Sequence, residues 1–456
     1  MPRLIPILLL CLSQSCLASL VLPVLNDPIV NLSRLASETT ETSSDLFTLS
    51  AVFGTEAIDN LVVRFTTQTS IGSLQLDLAL FSNRTPGTRA NFMNYVNDGD
   101  FVNSIIHRSM PGFVIQGGGF YDSDPTSNYF LDAIPTDPPI ANEFGISNTL
   151  GTISMAKLGG DPDSATSGWF VSIGENSDNL DNQNGGFTVF GRITKSTLPN
   201  ALSIGNPIDF PIWNAGGAFT NLPLNPEFDN TRSIIETDLD LFTTVTLETI
   251  PASEAGNSTT LSYSIVANSD PTIATASING SSELVLVYSG NATGHTTIMV
   301  RATDSVGNTV DDTFTTSVLL KFDDWKSENF SEAEQTDDMI SGPDADNNND
   351  GLTNLELYLH DLNQNNFHLS PVVFSETDIA DASHPSFTFP IRNDLADITY
   401  TIEQSYDLGL TDDWSATPFI EISRLSAGAI DTVSIHTTAP TSGTKDFYRV
   451  RFTQTP

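Results

Sequence analysis

FVNSIIHRSMPGFVIQGGGF, residues 101–120, combines an arginine, a Pro-Gly turn, several apolar side chains and three consecutive glycines in one short segment. A charge among apolar neighbours costs free energy unless it has a partner or a function, so Arg108 is a candidate functional residue. Past the Pro-Gly turn, an extended backbone would place Val114 and Gln116 on the same face of a strand. The glycines at 117–119 let the backbone bend or approach another group closely. They are not a phosphate-binding loop, because no Gly-Lys-Ser or Gly-Lys-Thr follows them.

A second block of sequence belongs with the first. GTISMAKLGGDPDSATSGWF at residues 151–170 is followed by Asn-Leu-Asp at 179–181 and by FTVFGRI at 187–193. Together with HRSMPGFVIQGG at 107–118, these segments in this order and at this spacing resemble the cyclophilin family of peptidyl-prolyl cis/trans isomerases. The resemblance covers about residues 60–250, less than half of the chain. It implies a β-barrel with a few short helices, in keeping with the alternating strands and turns that the same residues predict.

The resemblance also implies where an isomerase site lies. Rotation of an X-Pro bond meets a barrier of about 18–20 kcal/mol, because the imide nitrogen is conjugated with the carbonyl. A catalyst therefore needs a pocket for the proline ring and a donor that favours the twisted nitrogen, and it needs no cofactor. Arg108, which is permanently charged and rich in N–H groups, is the predicted donor.

The predicted site residues fall into two groups. The catalytic group orients the substrate and stabilises the twisted bond, and it consists of Arg108, Gln116 and Phe113. The substrate-binding group forms the proline pocket and the peptide groove, and it consists of Val114, Ala156, Lys157, Phe170, Leu180 and Phe187. The alternative is structural: aromatic and leucine side chains of this kind are typical of cores, and a single arginine is typical of surfaces and ion pairs. His107 suggests acid/base catalysis, but in the family this histidine is structural.

Three positions depart from the family pattern. Gly168 stands where glutamine is usual, Asn179 where tryptophan or phenylalanine is usual, and Phe187 where many members have histidine. We expect these departures to affect the catalytic rate, the peptide preference and the binding of the cyclic peptide cyclosporin.

Composition limits the functions open to the chain. Its 456 residues are enough for about two to four domains. The 18 Lys and Arg residues are outnumbered by 56 Asp and Glu residues, which gives a formal net charge of -38. Nucleic acids and anionic membrane surfaces require a basic face, so neither is an expected partner. The expected partners are Pro-containing segments of other polypeptides.

The N-terminus has the features of a signal peptide. Arg3 precedes an apolar core at residues 4–12, and small residues near Ala18 suit a cleavage site. The core is shorter than the roughly 20 apolar residues that span a bilayer, and no later run reaches that length. Both cysteines, Cys11 and Cys16, lie in this segment, and lipid modification of Cys16 is the alternative to simple cleavage. We therefore expect the protein to be exported to the periplasm, the cell surface or the extracellular medium.

The whole chain is predicted to be mainly β. Beyond residue 250, short alternating strands separated by Asn, Gly and Ser turns predict a β-sandwich. The segment RATDSVGN at 301–308 resembles the end of immunoglobulin-like or cadherin-like modules. The predicted segments are a signal peptide at 1–18, a polar leader of marginal order at 19–58, the cyclophilin-like domain at 59–250, the sandwich at 251–320, an EF-hand-like helical segment at 321–366 and a β-rich module at 367–456.

An acidic loop in the helical segment is a candidate calcium site. Its oxygen ligands would occupy positions one, three, five, seven and nine of an EF-hand loop, with glycine at position six. These ligands are Asp346, Asn348, Asp350, Leu352 through its carbonyl, and Asn354. The bidentate acid expected at position twelve is replaced by Leu357, with Glu356 beside it. The alternative is an Asn/Asp turn that caps a helix.

Two functions from different classes follow from these observations. The first is a peptidyl-prolyl isomerase that assists the folding of exported proteins. The second is a secreted or surface adhesion or scaffold protein whose barrel binds Pro-containing peptides with little turnover. Retention of Arg108 and Gln116 favours the enzyme, whereas Gly168 and Asn179 favour the scaffold.

Overall fold

The computed structural model describes most of the chain. The described residues are 20–36, 43–69, 72–123, 131–228, 233–239, 241–290, 292–362, 366, 368–379, 382–408, 410, 413–427, 430–441 and 446–454. The predicted signal peptide and both cysteines lie outside them. Within these residues, no helix is both long and apolar enough to cross a membrane.

Three strands and a short helix precede the long first strand of the barrel. They are β1 (Val21–Leu25), β2 (Leu32–Leu35), β3 (Ser44–Thr48) and α1 (Leu49–Val52). β1 pairs antiparallel with β4 (Phe53–Thr69), and its five residues are all buried. The described residues between 20 and 58 are therefore not the leader of marginal order that their polar composition predicted for residues 19–58. Ser and Thr are frequent in strands, and the apolar residues of β1 become buried only through pairing with distant segments.

The barrel is built on one nine-stranded sheet. Its strands run in the order β1-β4-β5-β12-β10-β11-β7-β6, and β15 also pairs with β4, beyond the residues that pair with β1. The strands and short strand pairs of this region are β5 (Gly72–Phe81), β6 (Arg108–Met110), β7 (Val114–Gly117), β8 (Phe120–Asp122), β9 (Leu131–Ala133), β10 (Thr152–Met155), β11 (Trp169–Ser172), β12 (Val189–Ile193), β13 (Ile212–Trp213), β14 (Leu222–Pro223) and β15 (Phe242–Thr249). Helices α2 (Pro86–Asp98) and α3 (Leu198–Ile204) and a π-helical turn at Ser177–Asp181 complete it. The prediction of a mainly β barrel with few short helices is confirmed.

Aromatic rings fill the barrel core. The ring of Phe65 lies 4.9 Å from that of Phe242 and 5.4 Å from that of Trp169, centroid to centroid. Phe92 of α2 reaches the same cluster, 6.4 Å from Phe65. All four side chains are at most 1% exposed. Burial of such large rings provides the apolar area that holds α2 on the sheet.

A β-sandwich follows the barrel in the chain. Its later strands are β16 (Ser262–Asn268), β17 (Ala274–Ile278), β18 (Glu283–Tyr288), β19 (Gly294–Thr303) and β20 (Thr309–Leu319). They form the sheets β16-β19-β20-β2 and β17-β18-β3, whose buried side chains belong to one core. The sandwich predicted for residues 251–320 thus also contains β2 and β3, which lie in the sequence between β1 and β4 of the barrel sheet. Its resemblance to immunoglobulin-like or cadherin-like modules stays a prediction.

A helical segment and a second pair of sheets complete the described chain. The helices are α4 (Phe322–Asn329), α5 (Asp338–Ser341) and α6 (Asn354–Leu359). The strands are β21 (Val373–Ile379), β22 (Ala382–Arg392), β23 (Ile398–Ser405), β24 (Ser415–Thr417), β25 (Phe419–Ala427), β26 (Ile430–Thr437) and β27 (Phe447–Gln454). Trp325 and Tyr358 of the helices pack in one cluster with Phe452 of β27. The helical segment therefore packs against the sheet that contains β27.

Candidate active site

One row of paired residues runs across four strands and brings Arg108, Gln116 and Phe170 to the same face of the sheet. Arg108 of β6 pairs with Gln116 of β7, Gln116 pairs with Phe170 of β11, and Phe170 pairs with Ser154 of β10. Directly paired residues of antiparallel strands project to the same face. Ile115, next to Gln116 in β7, projects to the opposite face and is fully buried in the core. The strand alternation predicted for Val114 and Gln116 is confirmed.

Arg108 and Gln116 meet at the edge of a pocket. The Nη1 of Arg108 donates to Oε1 of Gln116 at 3.4 Å, at the long end of hydrogen-bond distances. Among the described residues, no ion pair joins Arg108 to an acid. The half-buried guanidinium therefore keeps N–H groups available for a ligand.

An apolar pocket of about 250 Å³ lies beside this pair. Its buried floor consists of Val114, Phe170 and Leu180, which are 3–5% exposed, and Phe113, Ala156 and Phe187 pack against them. The rings of Phe170 and Phe187 meet edge to face at 5.7 Å. The structure thus brings all nine predicted catalytic and substrate-binding residues to one pocket: Arg108, Phe113, Val114, Gln116, Ala156, Lys157, Phe170, Leu180 and Phe187. Their individual roles stay predictions.

Lys157 lines the pocket next to Phe187. Its Nζ donates to the carbonyl oxygens of Gly186 at 2.6 Å and Asn184 at 2.9 Å, and lies 4.7 Å above the centroid of the Phe187 ring. Burial lowers the pKa of its ammonium group. Lys157 thus makes a cation–π contact with Phe187, and its role in the peptide groove stays a prediction.

Gln183 is a pocket residue that the sequence analysis missed. Its side chain lines the pocket and donates to Oδ1 of Asn179, four residues earlier. Asn179 stands where the family usually has an aromatic residue, and of these two amide side chains only that of Gln183 lines the pocket. In the sequence, only the four-residue spacing between Asn179 and Gln183 indicated that these side chains meet. By contrast, Gly168 leaves its wall open: a Cβ built there would meet only the Cβ of Ala156, at 3.4 Å.

His107 lies outside the pocket. It is 6% exposed, and its ring packs edge to face on Phe120 at 5.0 Å. Burial, together with the adjacent charge of Arg108, lowers the pKa of the imidazole to about 4. His107 is therefore neutral near pH 7 and is buried beside Phe120, a position that suits a structural role.

Comparison with known proteins agrees with this geometry. A family model described as cyclophilin type peptidyl-prolyl cis-trans isomerase/CLD matches residues 62–199. The chain is 35% identical over 172 residues to the peptidyl-prolyl cis-trans isomerase A of Dickeya dadantii, which covers 37% of this chain and 82% of that relative. It belongs to the cyclophilin family. A peptidyl-prolyl cis-trans isomerase of Acinetobacter baylyi is 34% identical to this cyclophilin over 142 residues, covering 30% of this chain and 69% of the relative.

The cyclophilin also matches a solved structure of a cyclophilin type isomerase from Cryptosporidium parvum, determined in the presence of the dipeptide Ala-Pro. The identity is 19% and the TM-score 0.28, with 41% of this chain and 98% of that chain covered. Family membership makes this cyclophilin a peptidyl-prolyl cis-trans isomerase, whose catalysis requires no cofactor.

The predicted calcium loop forms a compact turn between α5 and α6. The Asp346 carboxylate accepts from the backbone N–H groups of Asp350 at 3.2 Å and Gly351 at 3.0 Å. Asn354 is buried and donates to backbone carbonyls outside the loop, and Glu356 caps α6 together with Thr353. No group of three or more His, Cys, Asp or Glu side chains that could hold a metal occurs in the described part of the chain. Calcium binding by Asp346, Asn348, Asp350, Leu352 and Asn354 stays a prediction.

Proposed function

We propose that this cyclophilin isomerises X-Pro bonds in exported proteins and so assists their folding outside the cytoplasm. The observation that carries the proposal is the placement of the Arg108 guanidinium beside an apolar pocket formed by Phe113, Phe170, Leu180 and Phe187. The pocket can hold a proline ring, and the guanidinium can donate a hydrogen bond to the imide nitrogen of the X-Pro bond as that bond rotates.

The chemistry follows from that placement. As the X-Pro bond twists, conjugation is lost and the nitrogen lone pair becomes localised. A guanidinium N–H directed at that nitrogen stabilises the twisted state more than the planar one, which lowers the barrier. The buried ring of Phe170 and the side chain of Leu180 hold the proline ring, so the rest of the peptide is the part that rotates.

Turnover distinguishes the isomerase from a scaffold. The experiment uses the full chain and a protein whose refolding includes a slow proline-limited phase, which lasts about 10–100 s unaided. An isomerase shortens this phase at substoichiometric concentration. A scaffold would bind the refolding chain without shortening the phase, and that outcome would overturn the proposal.

Export is supported by the N-terminal sequence, in which Arg3, the apolar core at residues 4–12 and the small residues near Ala18 have the features of a signal peptide. The test is to express the full chain in a bacterium, separate the cytoplasm, periplasm, membranes and medium, and determine the first residue of the recovered protein. A chain starting near residue 19 outside the cytoplasm supports the proposal. A membrane-bound chain that is released by Cys16→Ser indicates lipidation. Intact protein in the cytoplasm contradicts export.

We also propose that the loop at 346–354 binds calcium weakly, as suits an extracellular module. Asp346 and Asp350 provide carboxylates, Asn348 provides an amide oxygen, and the loop turns sharply at Gly351, where φ is 90°. With Leu357 at the twelfth position, the expected Kd lies in the roughly 10⁻⁴–10⁻³ M range of extracellular sites.

A further inference from the structure

Three walls of the proline pocket come from segments outside regular strands. Phe113 lies in the turn before β7, Leu180 lies in the π-helical turn at Ser177–Asp181, and Phe187 lies just before β12. No strand ladder therefore holds these side chains at fixed separations. The N–H of Phe187 donates to the carbonyl of Leu180 at 3.1 Å and so links two of the walls, but a further contact must join this pair to Phe113 and to the sheet.

Asn148 makes that contact from behind the pocket. It is fully buried and does not line the pocket. Its Nδ2 donates to Oδ1 of Asp181 at 2.8 Å and to the carbonyl of Phe187 at 3.0 Å. Its Oδ1 accepts from the Ser154 hydroxyl at 2.7 Å, so the side chain is anchored to the central strand β10. Both polar atoms of the side-chain amide therefore have hydrogen-bond partners.

The backbone of Asn148 extends the network to the other walls. Its N–H donates to Oδ1 of Asp181 at 3.0 Å, and its carbonyl accepts from the N–H of Asn176 at 3.0 Å. Asn176, itself 4% exposed, donates through Nδ2 to the carbonyl of Phe113 at 2.9 Å, and its carbonyl accepts from the N–H of Leu180 at 2.8 Å. Phe113, Leu180 and Phe187 are thus all joined through Asn148 and Asn176.

We propose that Asn148 is a positioning residue of the isomerase: it touches no substrate, but it fixes the separation of Phe113, Leu180 and Phe187 and so the seat of the proline ring beside Arg108. Buried hydrogen-bond networks that are fully satisfied are rigid, and small displacements of binding groups reduce rates strongly.

The charge state of Asp181 provides a specific test. Burial raises the pKa of its carboxyl, the hydrogen bonds from Asn148 oppose that rise, and the field of Asp178 adds to it. In Asn148→Asp, a second carboxyl replaces the amide about 2.8 Å from Oδ1 of Asp181. Two carboxylates sharing a site cannot both ionise without repulsion, so at low pH they share a proton and at high pH they separate.

The experiment measures kcat/KM of the full-length Asn148→Asp variant on a Pro-containing peptide at pH 5 and pH 8. We expect a loss of about tenfold to a hundredfold at pH 8, with much of it recovered at pH 5, whereas the wild-type ratio between the two pH values stays near one. The matched control is Asn225→Asp. Asn225 is 2% exposed and donates to two backbone carbonyls in the same barrel, away from the pocket. It should lose stability without a pH-dependent change in kcat/KM.

Two results would overturn the proposal. One is a folded Asn148→Asp variant with unchanged kcat/KM at both pH values. The other is a loss that is equal at pH 5 and pH 8 and is matched by Asn225→Asp. If Asn148→Asp does not fold, Ser154→Ala decides, because it removes only the donor to Oδ1 of Asn148. A loss of about twofold to tenfold in kcat/KM supports the positioning role, and an unchanged kcat/KM refutes it.

Discussion

Replacing Arg108 by alanine separates catalysis from stability in this cyclophilin. The guanidinium is half-buried, and its hydrogen bond to Gln116 is long at 3.4 Å. Its removal should therefore cost no more than about 1 kcal/mol of folding free energy. Loss of one preorganised donor to a transition state costs about 10²–10³ in rate, equivalent to about 2.7–4 kcal/mol. The expected result is a fall of that size in kcat/KM with little change in melting temperature.

The assay follows cis/trans isomerisation of a Pro-containing peptide by the full chain, alongside thermal melts. Arg64→Ala is the matched control, because Arg64 lies in the same barrel and makes two hydrogen bonds of 2.7 Å to the buried Asp77. Its loss leaves a buried carboxylate unpaired, so stability should fall while kcat/KM holds. The two variants should thus show opposite patterns. An Arg108→Ala protein that isomerises the peptide at the wild-type rate would refute the role assigned to this arginine.

Four further outcomes are expected. Gly168→Gln should raise kcat/KM by about twofold to tenfold, since the space beside Ala156 is open and a polar side chain can reach the groove; an unchanged rate would show that this wall does not contact the peptide. Cyclosporin should bind weakly, and Asn179→Trp should tighten it in a titration, because an aromatic ring restores apolar contact. Burial raises the pKa of the Asp312 carboxyl to about 6, above its value in the unfolded chain. The fold therefore loses stability as the pH rises from about 4 to above 6, because the buried carboxyl must then ionise. Asp312→Asn should raise the melting temperature at pH 8 but not at pH 4. Millimolar calcium should raise the melting temperature of the wild type but not of Asp350→Asn, and identical melts with calcium and with chelator would leave the loop as a helix-capping turn.

The pocket could be predicted from the sequence because the motifs that resemble the cyclophilin family contain its lining residues. Arg108 and Gln116 lie on one hairpin, and Phe170 pairs with Gln116 across the next strand. Local alternation by itself predicted only that Val114 and Gln116 share a face, and the other lining residues were implied by the resemblance. Asn148 and Asn176 escaped notice because their partners lie up to 63 residues away and a buried asparagine has no local pattern.

The N-terminal cap of α2 also comes from a residue far away in the sequence. Thr85 occupies the N-cap position of α2, directly before Pro86, but its side chain makes no capping hydrogen bond. The carboxylate of Glu143 instead accepts from the N–H groups of Gly87 at 3.1 Å and Thr88 at 2.7 Å. A residue 55 positions away thus satisfies the first turn, which only the folded barrel can reveal.

The pairing of the N-terminal strands shows that the barrel and the sandwich are not two consecutive segments of the chain. β2 runs parallel to β20 and β3 pairs antiparallel with β18, so the sandwich is assembled from segments on both sides of the barrel in the sequence. The chain passes between the barrel sheet and the sandwich three times, after β1, after β3 and after β15, so no single linker joins the two. Cutting the chain near residue 59 would remove β1 from the barrel sheet and two strands from the sandwich. The pocket is therefore held in a unit that extends from β1 to β20, and measurements of its activity or stability need all of those strands.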